Sequence, residues 1–140
     1  MKKSIENYVS WDEWFANRRR KEGKKRIYLS DDELADSISI FGHIGRNYIH
    51  QKVADAMSDP LDWDTQSDVI SCMARYCNAD WGDGTKKQAK LNDEIAAGKA
   101  KGDIRATYRI HRGTLRIVTS ADRRMTKLMW LPTDRKENSL

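Results

Sequence analysis

The rhythm of apolar positions along this chain changes once. Before about residue 100 apolar side chains recur at helical spacing, and from Asp103 they alternate with polar ones. Three helices are expected before residue 78. Ser10-Trp11-Asp12-Glu13 has capping-box spacing, with acidic groups suited to the positive end of a helix. This predicts a helix from about Trp11 to Lys24, with Trp11, Trp14 and Phe15 as its apolar side. Ser30-Asp31-Asp32-Glu33 repeats the signal and opens a longer helix to about Ser58, with Leu34, Ile38, Phe41, Tyr48 and Ile49 facing the core. Gly42 and Gly45 weaken its middle by about 1 kcal/mol each against alanine. Asp59-Pro60 stops it, and Asp64 or Thr65 caps a third helix to about Tyr76, burying Val69, Met73, Tyr76 and Cys77.

Asn78 to Gly84 is turn chemistry around Trp81, and Thr85 caps a helix through about Ala100 with Leu91, Ile95 and Ala96 as its apolar stripe. Ile104, Ala106, Tyr108 and Ile110 then alternate with Arg105, Thr107, Arg109 and His111, the pattern of a half-buried strand. An Arg112-Gly113 turn leads into a return strand, Thr114 to Ala121, and a third strand runs from Met125 to Leu131. That turn opposes Ile110 to Leu115 and Tyr108 to Ile117, and it sets Arg109 against Arg116. Like charges facing each other destabilise a sheet, so an anionic group is expected near them. The expected fold class is α+β: a helical region over 1–78, then a helix with a three-stranded antiparallel meander over 79–133, then a polar tail over 134–140.

Composition adds a class and a compartment. The chain of 140 residues is 39% hydrophobic with five tryptophans, which argues against disorder and fits one domain with or without an extension. No apolar run is long enough to span a bilayer, and Met1-Lys2-Lys3 lacks the apolar stretch of a secretory signal. Cys72 and Cys77 match neither a zinc knuckle nor a redox pair. These features predict a soluble cytoplasmic protein with reduced thiols.

The net charge of +5 conceals segregation. Residues 1–27 carry nine basic and four acidic groups, residues 28–70 two and nine, and residues 101–140 ten and four. Such asymmetry suggests an acidic or nucleic-acid partner, or neutralisation within the chain. Asp59 through Asp68 is the stretch placed to neutralise the arginines. Seven cations lie between Arg18 and Arg26, more than a helix C-terminus needs. On the long expected helix His43, Arg46 and His50 fall within one arc, either a contact stripe for an anion or a solvated face.

Asp80-Trp81-Gly82-Asp83, Leu91-Asn92-Asp93-Glu94, Thr119-Ser120-Ala121-Asp122-Arg123, Thr126 and Leu131-Pro132, taken in this order, resemble a family of short proteins carried by phages, plasmids and other bacterial mobile elements. The similarity covers about residues 79–133. It implies a mobile-element origin and a helix followed by a three-stranded meander. The family has no catalytic residues to carry over.

No nucleophile stands beside any of the three histidines, no four ligands suggest zinc, and no phosphate-binding glycine loop is present. Neither a cofactor, a metal, a membrane nor a small-molecule substrate is therefore expected. Gly42-His43-Ile44-Gly45 matches the G-x-x-G of KH loops, but the expected helix continues on both sides of it. Tyr108-Arg109-Ile110-His111-Arg112-Gly113 looks loosely like RelE-type ribonuclease toxins, with Tyr108, Arg109, His111 and Arg116 as the candidate cationic site. The leading expectation is a non-enzymatic accessory protein that binds a host protein or nucleoprotein, as anti-CRISPR or anti-restriction inhibitors do. Its candidate contacts are Arg18, Arg19, Arg20, Arg105, Arg109 and Arg116, with His43, Arg46 and His50 in second place. Direct binding of DNA or RNA is the alternative.

Overall fold

The alternating segment after Asp103 folds as three strands, β3 (Ile104–Ile110), β4 (Gly113–Thr119) and β5 (Met125–Trp130). The computed structural model describes residues 7–22 and 46–132. Two further strands come from the first part of the chain, β1 (Tyr8–Ser10) and β2 (Arg46–His50). All five form one mixed sheet in the order β1-β2-β5-β4-β3, in which β2 and β5 are parallel and every other pair is antiparallel. The helices of the described residues are α1 (Trp11–Glu22), α2 (Gln51–Met57), α3 (Trp63–Cys77) and α4 (Lys86–Ala96).

The expected three-stranded antiparallel meander is thus corrected to a five-stranded mixed sheet that joins strands from both sides of residue 78. The long helix expected over 30–58 is also corrected within the described residues, because 46–50 is strand and only 51–57 is helix. Five residues of strand fit inside a helical pattern without breaking it. Tyr48 and Ile49 satisfied the helical spacing, whereas in β2 Asn47 and Ile49 are buried on one face and Tyr48 lies on the other. What selects the strand is its partner, since Arg46 through Ile49 pair with Met125 through Leu128 across about eighty residues of chain. The strand also removes the ground on which the G-x-x-G segment was set aside; its glycines, with Leu34, Ile38, Phe41 and His43, lie outside the described residues.

Local chemistry explains the helix ends. Asp62, rather than Asp64 or Thr65, caps α3: its carboxylate accepts from the Thr65 amide at 3.3 Å and from the Thr65 hydroxyl at 2.8 Å. Thr85 caps α4 by accepting from the Gln88 amide at 3.0 Å. The His50 Nδ1 accepts from the Lys52 amide at 3.1 Å, so the last residue of β2 opens α2.

The core lies on one face of the sheet. Ile49, Leu115, Ile117, Leu128 and Tyr108 are fully buried there, with Trp11 and Phe15 of α1, Val53 and Met57 of α2 and Val69 and Met73 of α3 in the same cluster. The facing of β5, ambiguous from its sequence, is decided by Thr126 and Leu128, which are buried, while Met125, Lys127 and Met129 take the other side. A chain of buried hydroxyls links helix and sheet: Tyr76 to Thr119 at 2.7 Å and Thr119 to Thr126 at 2.7 Å. Burial also pushes the Cys72 thiol up to about 11, so it stays protonated near neutrality.

Candidate functional site

Residue parity in the five strands places Tyr8, Arg46, Tyr48, Met125, Lys127, Met129, Arg116, Val118, Arg105, Thr107 and Arg109 on the face opposite the core. None of the five strands contains an acidic residue, and every lysine and arginine they contain lies on this one face. Arg46, Arg105 and Arg109 are exposed, and Lys127 and Arg116 are part-buried. The aromatic groups are interleaved with the cations, for the Lys127 ammonium sits 5.3 Å from the Tyr8 ring centroid. The Tyr8 hydroxyl approaches the Met129 sulfur at 3.9 Å, and its ring meets His50 edge-on at 5.0 Å.

The acidic stretch Asp59–Asp68 reaches a different place. The hairpin connection is His111-Arg112, because Ile110 pairs with Gly113, Tyr108 with Leu115 and Thr107 with Arg116. The expected opposition of Arg109 to Arg116 is corrected by this register: Arg109 faces Thr114. Parity survives the shift, so the core face is as expected, but no like-charged pair stands directly across the strands. At the turn, the Arg112 guanidinium donates to Asp59 at 3.1 Å and to Asp62 at 2.8 Å. The two imidazole nitrogens of His111 meet Asp68 at 3.0 Å and Asp62 at 2.8 Å. A carboxylate on each nitrogen favours the doubly protonated ring, and its pKa is raised by the Asp68 contact first and the Asp62 contact second. Asp62 is held far below the ordinary carboxylate range by Arg112 and Thr65, and its side chain is only 16% exposed.

The other sequence candidates are dispersed. Arg18, Arg19 and Arg20 belong to α1, but their side chains lie outside the described residues. Arg46 and His50 stand on a strand rather than a helix face, and His50 serves as the cap of α2. Tyr108 is fully buried, and its hydroxyl donates to the Asp80 carbonyl at 2.7 Å. Tyr108, Arg109 and His111 therefore fall on the core face, the open face and the neutralised turn, and form no common cationic centre. The sequence reading missed Lys127, Tyr8 and Tyr48. Alternation within β5 was the one available signal for Lys127, and nothing local marks the tyrosines.

No family model matches this chain, and no curated protein or solved structure matches it either.

The residues behind the resemblance have architectural work, mostly at the free edge of β3. Asn92 is fully buried and closes that edge, donating to the Arg105 carbonyl at 2.7 Å and accepting from the Arg105 amide at 3.2 Å. This displaces Leu91, expected in the apolar stripe, to a 40% exposed position. The Asp83 amide donates to the Thr107 carbonyl at 2.7 Å, and its carboxylate accepts from the Arg109 amide at 2.8 Å. Both outward backbone groups of Arg105, the Thr107 carbonyl and the Arg109 amide are thereby engaged and withdrawn from pairing with another strand. Gly82 has φ +78°, and a Cβ there would stand 2.2 Å from the Thr107 oxygen. Trp81 donates from Nε1 to Asp93 at 2.8 Å, which fixes α4 on the strand. Asp122 organises the β4–β5 turn by accepting from the Ser120 hydroxyl and the Arg124 amide.

Proposed function

We propose that this protein is a non-enzymatic binder of single-stranded nucleic acid, met free or within a nucleoprotein, and that the open face of its sheet is the interface. The observation that supports this is the charge sorting of the strands: every strand cation on one face and no strand acid at all. A basic sheet face carrying tyrosines suits a strand whose phosphates need cations and whose bases need stacking surfaces. Arg109 makes no ion pair among the described residues, and Arg105 reaches Asp103 only at 3.7 Å while remaining 54% exposed. Such guanidinium groups gain most from phosphate. The acidic stretch does not compete for them, because Arg112 and His111 occupy it.

Action against a host defence system is the narrower reading and stands on the mobile-element resemblance. Among the described residues no helix is long and apolar enough to cross a membrane. Fluorescence anisotropy with a labelled single-stranded oligonucleotide tests the proposal. Affinity is expected to fall with salt at a log–log slope of roughly −0.7 per phosphate contact. No binding to RNA or DNA at low salt overturns it.

A further inference from the structure

Where α4 leans over the edge of β3, a cavity of about 290 Å³ opens beside the basic face. Its charged lining is Arg105 and Arg116, with no acid, and Thr85, Thr107 and Gln88 add further polar groups. Trp81, Ala89 and Leu131 supply apolar wall. The Nε of Arg116 is buried without a hydrogen-bond partner, although guanidinium groups inside proteins are almost always paired. The Thr85 oxygen accepts from the Gln88 amide, so its hydroxyl proton remains available to a ligand. Gly84 holds the mouth open, since a Cβ there would approach the Thr107 hydroxyl at 3.3 Å.

We infer that this cavity binds the phosphoryl group of a single nucleotide, held by Arg116 and Arg105, with the sugar or base against Trp81 and Leu131. Two guanidinium groups and two hydroxyls offer donors in excess, and a phosphate supplies acceptor oxygens for them in the fork geometry arginine favours. The volume stands at the small end of ligand pockets, which run from about 300 Å³ upward, so one nucleotide rather than a run of them is the fitting size. The inference rests on the open-face reading for its choice of a nucleotide over another phosphate ester. The shared chemistry is a nucleoside 5′-phosphate, whether free or at the end of a strand that continues across the sheet.

The test follows the Arg116 Nε–H resonance in a proton–nitrogen correlation spectrum during titration with nucleoside 5′-monophosphates, the unphosphorylated nucleosides, inorganic phosphate and sulfate. A saturable shift with the monophosphates, weaker with phosphate and absent with nucleosides, is expected. In Arg116→Gln, which lacks that resonance, monophosphate binding read from the backbone amides of Gly84 and Thr85 in the cavity wall should weaken at least about tenfold, as loss of a charge-assisted bidentate contact does. Ala89→Leu, which fills the cavity and leaves both arginines intact, should also abolish it while the spectrum remains that of a folded protein. Oligonucleotides with and without a 5′-phosphate separate the sources: tighter binding of the phosphorylated strand assigns the site to strand ends, and equal binding assigns it to free nucleotide. An unmoved Arg116 resonance at millimolar ligand, or an equal response to sulfate and nucleotide, overturns the inference. If oligonucleotides bind while the resonance stays still, the cavity assignment fails and the open-face proposal stands. If monophosphates bind while no oligonucleotide does, the reverse holds.

Discussion

The hairpin of β3 and β4 carries basic residues at its tip and on its open face, and the two sets meet different surroundings. At the tip, Arg112 and His111 each touch two carboxylates from the loop and first turns of α3. A few residues away, Arg109 and Arg116 have no carboxylate partner among the described residues, and Arg116 keeps a buried nitrogen unpaired. The same side chain on the same pair of strands is thus consumed by the fold in one place and left over in the other. Charge that closes a turn is architecture. Charge sorted onto one face, with every acid excluded from the strands, leaves a positive field that draws anions toward the sheet.

Gly82→Ala should break both regions together. Its Cβ would collide with the Thr107 carbonyl and the Tyr108 ring in a backbone conformation that alanine resists, and the β3 edge supports tip and face alike. A loss of about 3 kcal/mol or more is expected from urea unfolding. A change within about 0.5 kcal/mol, the range of an ordinary surface substitution, would contradict the edge packing described above.

Reversing charge on the face alone, with Arg109→Glu and Lys127→Glu, should weaken oligonucleotide binding on the order of 100-fold and flatten its salt dependence. The unfolding midpoint should hardly move. Loss of stability with unchanged binding would reverse the assignment of the two regions.

The opposite pattern is expected at the tip. Asp62→Asn preserves a good helix cap but removes the charge shared by Arg112 and His111. The thermal midpoint should fall by several degrees, with binding constant within about twofold, because a charge outside the interface leaves affinity nearly untouched.

The smallest effect is a pH dependence confined to the tip. The folded-state pKa of His111 is raised above its ordinary value of 6.5. Its contribution is therefore complete below about pH 6.5 and is lost as pH rises through the raised value. The depressed pKa values of Asp59 and Asp62 work in the other direction, with stability present above their ordinary value near 4 and lost as pH falls through the depressed ones. Stability should thus decline gently from pH 6.5 upward, and His111→Gln should remove that slope. A slope that persists in the variant assigns it to another group.

How much of this was legible varies by element. The strands β3, β4 and β5 and helix α4 were readable because their signals are local, namely alternation, a threonine cap and turn residues. The hairpin register was misread by two residues of pairing, since Arg112-Gly113 and His111-Arg112 are both acceptable turns and only packing chooses between them. Asn92 carried no signal of burial, because a polar side chain on a helix reads as solvated until a strand edge is set beside it. Of the open face, the arginines of β3 and β4 were identified, whereas Tyr8 and Tyr48 became part of it only once β1 and β2 joined the sheet, and Lys127 once packing fixed the facing of β5.

The sequence by itself determined the alternation that puts Arg105, Arg109 and Arg116 on one side of their strands and Tyr108, Leu115 and Ile117 on the other. It also determined the segregation of charge along the chain, because both properties are written in neighbouring residues. Tertiary structure alone decided that Arg46–His50 is a strand, that the sheet has five strands, and that Asp59, Asp62 and Asp68 meet the turn instead of the face. The physical reason is range. A strand of five residues gains its stability from a partner about eighty residues away, and a carboxylate finds its cation through the packing of α3 on the sheet, so neither choice leaves a mark in the residues beside it.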